Sequence, residues 1–170
     1  KPLRLLELGV SKGGSERMWK RFFPQAQVYG VDIDESCRAY EEERIKIRIG
    51  DLSQDDVLES LKEIRPHIII DDASHFWSHQ IKALFTLFPI LPSGGVYILE
   101  DIETSFHPLV FSSEYCDAPL DAYTVAERIT RVAASRVPCK EGTFAEEITA
   151  VGMDTELVAT MLSSCIFIKK

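Results

Sequence analysis

The stretch LRLLELGVSKGGSERMWKRFF, residues 3–23, decides the fold of this chain. Residues 3–9 form an apolar run typical of a buried strand, and a glycine-rich loop follows it. Helical spacing of apolar residues then continues to Pro24, with Ser15 as the expected N-cap. We expect one apolar helix face made of Met18, Trp19, Phe22 and Phe23. A strand, a glycine loop and a helix in this order predict the first unit of an open α/β sheet.

The same alternation continues along the chain. Further strands are predicted at QVYGVDID, IKIRIGD, HIIIDD and VYILED, and helices at SQDDVLESLKEI, with Ser53 as its N-cap, and at SHQIKALFTLFPIL. A short helix is expected around SCRAYEEE, a longer one at YTVAERITRVAASRV, and a closing hairpin at LVATML and CIFIKK. We therefore predict an α/β, Rossmann-like doubly wound, mostly parallel sheet with a C-terminal antiparallel hairpin and three α/β/α layers.

Composition bounds the classes of protein and partner. The chain has 170 residues, 45% of them hydrophobic, which suits one domain over residues 1–170, and an upstream segment missing from this sequence stays an open alternative. A net charge of −8 without a basic tract disfavours nucleic acid. No apolar run approaches the roughly 20 residues of a membrane span. The four scattered cysteines are typical of reduced thiols, so we expect a cytoplasmic protein, with a homo-oligomer left open.

Each of the five predicted parallel strands ends in an acidic residue, and none ends in Lys or Arg. The strand ends are Glu7-Leu-Gly9, Asp32-Ile-Asp34, Gly50-Asp51, Asp71-Asp72 and Glu100-Asp101. Because ligands of open parallel sheets bind at the carboxyl ends of the strands, this row faces the expected site. Exposed strand ends are often charged, but an uninterrupted row of acids favours a ligand rich in hydroxyls and amines, a metal ion, or both.

The first glycine loop narrows the choice of cofactor. Its second glycine, Gly13, comes four residues after Gly9, so the loop lacks the G-x-G-x-x-G spacing of dinucleotide sites. An acid before the first glycine suits a ligand with an ammonium or sulfonium group better than a phosphate. An acid-x-Gly-x-x-x-Gly loop, followed by an acid closing the second strand, resembles class I S-adenosylmethionine-dependent methyltransferases.

This resemblance implies a set of residues that bind S-adenosylmethionine. It places Asp32 at the ribose hydroxyls and Asp51 near the adenine amino group. The complete set of expected cofactor-binding residues is Glu7, Gly9, Gly13, Ser15, Asp32, Asp51 and Asp71. Two other hypotheses remain: a catalytically inactive module that binds the cofactor, and an NAD-dependent oxidoreductase, which the glycine spacing disfavours.

Strands four and five point to a metal site. Asp72, Glu100 and Asp101 leave the sheet at the same edge, where three carboxylates would repel one another unless a cation neutralised them. Oxygen ligands of this kind suit Mg²⁺, which accepts substrate hydroxyls as further ligands. His75 would then lie close enough to take a hydroxyl proton. Asp71 in place of Asp72 is an alternative, since neighbours on a strand point to opposite faces.

The stretches IIIDDASH and YILEDIETS, with the first glycine loop, resemble the metal-dependent sugar O-methyltransferases of macrolide biosynthesis and, more distantly, cephalosporin-hydroxylase-type proteins. The resemblance covers roughly residues 3–105. It implies that Asp72, Glu100 and Asp101 hold Mg²⁺ and that His75 is the general base. The implied activity is methyl transfer to a hydroxyl of a small molecule such as a sugar moiety. Ala73 replaces the family's usual glycine, and SFHPL departs from its aromatic-rich stretch, which leaves the acceptor undetermined.

Several of these residues have structural interpretations as well. His75 could cap the following helix, and His79 could be a second ligand or a surface residue. Trp77 could line a substrate pocket or belong to the core. Phe106 and His107 could reach the acceptor.

Overall fold

Seven strands form one sheet in the part of the chain described by the computed structural model, residues 2–106 and 113–170. The strand order is β3-β2-β1-β4-β5-β7-β6. The strands are β1 (Arg4–Leu8), β2 (Gln27–Asp32), β3 (Ile45–Ile49), β4 (Ile68–Asp71), β5 (Val96–Leu99), β6 (Thr155–Met161) and β7 (Ser164–Lys169). The first five are parallel, and β7 pairs antiparallel with both β5 and β6. The order reverses between β1 and β4, where ligands of such sheets bind.

Five α-helices of the described chain cover the two faces of the sheet. They are α1 (Gly14–Phe22), α2 (Asp55–Leu61), α3 (Trp77–Leu87), α4 (Ala122–Ser135) and α5 (Ala145–Met153). Helix α1 and the 3₁₀ turn at Glu35–Tyr40 pack against one face, over the apolar cluster that contains Leu5, Val28 and Ile47. The remaining helices pack on the other face, around Leu6, Leu84 and Phe167. The predicted three-layer α/β/α fold with a C-terminal hairpin is confirmed.

Helix α1 departs from its sequence-based prediction in two respects. Its N-cap is Gly13, which adopts left-handed φ and ψ of 67° and 22°, so Ser15 lies inside the first turn and does not cap the helix. Met18 and Phe22 are 49% and 69% exposed, whereas Glu16 is fully buried. The helix is rotated so that Glu16 and the partly buried Trp19 face the sheet. Apolar spacing alone could not distinguish these two faces, because both contain large apolar residues.

Two further elements differ from expectation. The N-cap of α2 is Gln54, without a side-chain hydrogen bond, so Ser53 is not the cap. Helix α5 is absent from the sequence-based prediction, because its N-cap is Phe144, which provides no side-chain cap, and its interior contains Thr149 and Gly152, which have low helix propensity. Among the described residues, no helix is long and apolar enough to cross a membrane.

Candidate active site

A cavity of about 490 Å³ opens at the carboxyl ends of β1, β2, β3 and β4. Gly9 forms part of its wall and has a φ of 96°, which residues other than glycine rarely adopt. A Cβ atom at this position would lie 2.2 Å from the carbonyl oxygen of Asp72. Only glycine therefore lets the β1 loop pass this closely to the β4 loop. The cavity is lined by Gly9, Ser11, Val31, Asp32, Ile33, Gly50, Asp51, Leu52, Ser53, Asp72, Ala73, Ser74, Phe76 and His79.

Asp32 is fixed by the glycine loop. Its Oδ2 accepts hydrogen bonds from the backbone N–H groups of Val10 and Ser11, at 2.9 and 3.0 Å, and its Oδ1 accepts one from Asp34 at 2.9 Å. Burial disfavours the charged form, but these three donors outweigh it and lower the pKa of Asp32. A carboxylate has about four acceptor positions, so an ionised Asp32 retains capacity for a ligand hydroxyl.

Asp51 lines the same cavity, after the neighbouring strand β3. Its Oδ1 accepts a hydrogen bond from the backbone N–H of Ser53 at 2.8 Å, and the Ser53 contacts lower the pKa of Asp51. Ile33 and Leu52 directly follow Asp32 and Asp51, and both line the cavity, where Ile33 is 69% exposed. An exposed isoleucine between two acids is the signal that sequence reasoning missed. The cavity thus combines charged rims with apolar walls, as cofactor sites commonly do.

The next group of residues lies beside Asp72. Ligand atoms of Asp72, His75 and Asp101 all lie within 4.8 Å of one another. His75 Nε2 is 3.3 Å from Asp101 Oδ2 and 3.9 Å from Asp72 Oδ1. Burial, and then the charge of Asp101, raises the pKa of Asp72, while nearby His75 opposes this rise. Two carboxylates and an imidazole at this spacing could hold a divalent cation.

Each of the two loops that carry His75 and Asp101 has a residue in a strained backbone conformation. His75 and Asp101 both adopt left-handed backbone conformations, with φ of 58° and 52°. For residues other than glycine, such conformations cost about 1–3 kcal/mol and occur often at functional sites. The buried hydroxyl of Thr104 donates to the carbonyl oxygens of His75 and Asp101, at 3.3 and 3.2 Å. Thr104 therefore joins the two loops, a role that nothing in the local sequence indicates.

Glu100 lies beside the group without contributing an atom to it. Burial, followed by the charges of Asp72 and Asp101, raises the pKa of Glu100. The buried side chain of Gln80 donates to the Glu100 carbonyl oxygen at 2.8 Å and so fixes the end of β5. The described residues thus bring together Asp72, Asp101 and His75, rather than the expected set of three carboxylates.

Asp71 occupies the core and does not line the cavity. It is 3% exposed, and the Tyr97 hydroxyl donates to its Oδ2 at 2.9 Å. Burial raises the pKa of Asp71 to about 7. Consecutive strand residues point to opposite sides, so Asp72 faces the cavity and Asp71 does not. This placement corrects the expectation that Asp71 binds the cofactor directly.

Three other expected cofactor residues do not line the cavity either. Glu7 is 2% exposed. The Ser15 hydroxyl donates to Glu16 Oε2 at 3.4 Å, and a Cβ on Gly13 would lie 2.7 Å from the ring of Tyr40. None of Glu7, Gly13 and Ser15 is among the residues that line the cavity.

The alternatives left open by the sequence are resolved for most residues. The N-cap of α3 is Phe76 and no side chain caps it, so His75 is not a helix cap. His79 lines the cavity, and its Nδ1 is 2.7 Å from the Ser74 hydroxyl. Trp77 packs against the main core. His107 lies outside the described residues.

Comparisons with known proteins agree with this fold and site. No family model matches the chain. It is 42% identical over 122 residues to 8-demethyl-8-alpha-L-rhamnosyl tetracenomycin-C 2'-O-methyltransferase of Streptomyces olivaceus, covering 66% of this chain and 32% of that protein. It is 38% identical over 115 residues to demethylmacrocin O-methyltransferase of Streptomyces fradiae, covering 62% and 29%. The chain therefore spans about a third of the length of these relatives.

Solved structures give the same result over more of the chain. The MycE methyltransferase of the mycinamycin biosynthetic pathway, solved with Mg and SAH, superimposes with a TM-score of 0.83 and 26% sequence identity. This match covers 99% of the present chain and 45% of MycE. The resemblance predicted from the glycine loop and the acidic strand ends is thus confirmed: in sequence the chain is similar to natural-product sugar O-methyltransferases, and its fold is the class I methyltransferase fold of MycE.

Proposed function

We propose that residues 1–170 form a single S-adenosylmethionine-dependent O-methyltransferase domain, assisted by Mg²⁺, that methylates a hydroxyl of a small molecule such as a sugar moiety of a natural product. We also propose that it acts in the cytoplasm. The observation that carries the proposal is the position of Asp72, which lines the cavity and also belongs to the group with His75 and Asp101. A methyl donor in the cavity and a hydroxyl beside the acids would therefore be neighbours.

The residues present fit both S-adenosylmethionine and Mg²⁺. The Gly9 loop passes close to the β4 loop, Asp32 is held by backbone hydrogen bonds, and Ile33 is exposed. Together these features suit an adenosine whose ribose hydroxyls are free. Oxygens of Asp72 and Asp101 suit Mg²⁺. When bound, S-adenosylmethionine supplies an electrophilic methyl group, and Mg²⁺ supplies a charge that favours a deprotonated hydroxyl.

The chain's own residues supply position and a base. We assign Asp72 and Asp101 as metal ligands and Nε2 of His75 as the acceptor of the hydroxyl proton. The left-handed backbone at residues 75 and 101, tied by Thr104, holds the base close to both carboxylates. Holding base, hydroxyl and cofactor in one geometry supplies much of the rate enhancement in such reactions.

Calorimetric titration of S-adenosylhomocysteine, with Mg²⁺ and then with a chelator, tests the cofactor site. We expect binding in both conditions, and no binding of NAD to the same protein. A panel of glycosides and catechols with S-adenosylmethionine then tests turnover, which we expect only when Mg²⁺ is present. Lack of binding in both conditions would overturn the proposal, and methyl transfer in chelator would overturn the metal's role. Binding without turnover on any acceptor would favour an inactive binding module.

A further inference from the structure

Two buried carboxylates, Glu7 and Glu16, lie beneath the glycine loop. Glu7 belongs to β1 and is 2% exposed, and Glu16 belongs to the first turn of α1 and is 0% exposed. Oε2 of Glu7 and Oε1 of Glu16 are buried and have no hydrogen-bond partner among the described residues. Buried carboxylate oxygens without partners are costly and therefore call for an explanation.

The two carboxylates are neighbours. Gly30 of β2 is the register partner of Glu7 in β1, and adjacent strands are about 4.8 Å apart. A Cβ built on Gly30 would lie 3.0 Å from Oε1 of Glu16, so Glu16 reaches from α1 down to the strand position beside Glu7. The Ser15 hydroxyl, which contacts Glu16, also interacts with Glu7.

The surroundings disfavour two negative charges on this pair. The apolar cluster on this face of the sheet is composed of Leu5, Val10, Val28, Cys37, Ile45, Ile47 and Ile70. The charged groups that face the pair are Arg17 on α1, Asp32 at the end of β2, Asp72 after β4 and Glu100 after β5. Only one of these four is a cation.

Burial and mutual repulsion therefore keep a proton on the pair. Burial, and then the charge of Glu16, raises the pKa of Glu7 to about 8. Burial likewise raises the pKa of Glu16. Two acids this close titrate as a unit, and the unit retains at least one proton at neutral pH.

The pair is also close to the cavity. The Cβ position built on Gly30 lies 3.0 Å from Oε1 of Glu16, and it also lies 2.7 Å from the Cγ2 methyl group of Val10. Val10 joins Gly9 and Ser11, which both line the cavity. A cation held in the cavity would thus be separated from the acids by little more than this loop, in a region of low dielectric where charges interact strongly.

We propose that Glu16, with Glu7, selects the charged form of the cofactor: binding of a sulfonium ligand displaces the proton that the pair shares, and a neutral thioether does not. This inference rests on the proposed function. The O–H bond of the shared acid breaks, its electron pair stays on the carboxylate oxygen, and the proton passes to the buffer. After methyl transfer the sulfur carries no charge, so the pair takes a proton back and product release becomes easier.

Titration calorimetry in buffers of different ionisation enthalpy measures this proton directly. We expect S-adenosylmethionine to release up to about one proton near neutral pH and S-adenosylhomocysteine to release clearly less. Chelator is present throughout, so that metal binding contributes no protons. In Glu16→Gln the difference between the two ligands should shrink, because Glu7 loses the partner with which it shares the proton, and the preference for S-adenosylmethionine should fall. Glu59→Gln, which removes an exposed helical glutamate, should behave as the unmodified protein.

Each outcome decides between the two proposals. Equal proton release by both ligands, or a difference as large in Glu16→Gln as in the unmodified protein, would overturn the inference while leaving the cofactor site intact. No binding of either ligand to the unmodified protein would overturn the cofactor site and the inference together. If Glu16→Gln does not fold, judged by circular dichroism, Glu7→Gln provides the same test from the other member of the pair.

Discussion

Asp71 and Asp72 are adjacent in sequence and identical in chemistry, yet the structure uses them in opposite ways. Asp71 is buried against Tyr97, and burial raises its pKa to about 7. Asp72 lines the cavity, with its side chain 45% exposed, close to His75. The buried pair Glu7 and Glu16 repeats the first situation, and Asp101 repeats the second. The acids near the carboxyl edge of the sheet therefore form two sets: an inner set, Glu7, Glu16 and Asp71, which is buried in the fold, and an outer set, Asp32, Asp72 and Asp101, which is available to ligands.

The inner set gives the largest expected effect, on the pH dependence of stability. Glu7 and Asp71 have folded-state pKa values of about 8 and about 7, above their ordinary values of 4.5 and 3.8. The folded protein then keeps protons that the unfolded chain has released. The contribution of these groups to stability is therefore fully present below about pH 4, declines above that pH, and is lost by about pH 8. We expect the free energy of unfolding, measured with urea in chelator, to fall by up to about 6 kcal/mol from about pH 5 to about pH 8.

Variants of the adjacent residues Asp71 and Asp72 show which set of acids causes this decline in stability. Asp71→Asn keeps an acceptor for the Tyr97 hydroxyl but cannot titrate, so it should flatten the decline of stability with pH. Asp72→Asn should change the decline less, because this side chain is half-exposed and screened by solvent. If the free energy of unfolding of Asp71→Asn declines with pH as steeply as that of the unmodified protein, Asp71 does not belong to the inner set.

The outer set gives the next largest effect, on metal binding. We expect Asp72→Asn to weaken Mn²⁺ binding, followed by electron paramagnetic resonance as a proxy for Mg²⁺, by at least about 100-fold, because it removes a ligand. His75→Gln should retain metal affinity within about threefold and instead lower methyl transfer by about 10²–10⁴-fold, as expected for a general base. Asp56→Asn is the control, since Asp56 is exposed and does not line the cavity.

His75 is the residue on which this experiment is sharpest. Its Nε2 lies between two carboxylates, where it could serve as a third ligand as well as a base. If His75→Gln loses metal affinity as strongly as Asp72→Asn, His75 is a ligand and its assignment as the base is wrong. Equal metal affinity in Asp72→Asn and the unmodified protein would instead remove Asp72 from the outer set.

The sequence predicts the strand ends well and the inner set poorly, for a physical reason. Apolar runs and their spacing locate the strands, and a parallel sheet brings their carboxyl ends to one edge. Which of two adjacent acids faces the ligand depends on strand register, and this could not be read from Asp71-Asp72 alone. Glu16 was missed because Met18 and Phe22 predict a buried face that is in fact exposed.

Residues that fix the site by tertiary hydrogen bonds leave no local signal. Thr104 and Gln80 bind backbone carbonyl groups of loops that are far away in sequence. Their side chains look like ordinary surface residues in the sequence, and only the packed loops give them partners. Asp32 was easier to predict, because the glycine loop after the first strand and the acid that closes the second strand form a recognisable pattern, although the two are about 22 residues apart.

The smallest expected effect is on cofactor affinity and concerns Asp32. Asp32→Asn removes the charge of an outer acid but preserves its size, so we expect S-adenosylhomocysteine to bind about tenfold more weakly, the range of one charge-assisted hydrogen bond. Calorimetry in chelator measures this without a known acceptor. Asp34→Asn is the matched control, since Asp34 accepts a hydrogen bond from the Ser36 backbone and does not line the cavity. Unchanged affinity in Asp32→Asn would mean that its three backbone donors already use the carboxylate fully, and Asp32 would then belong with the inner acids.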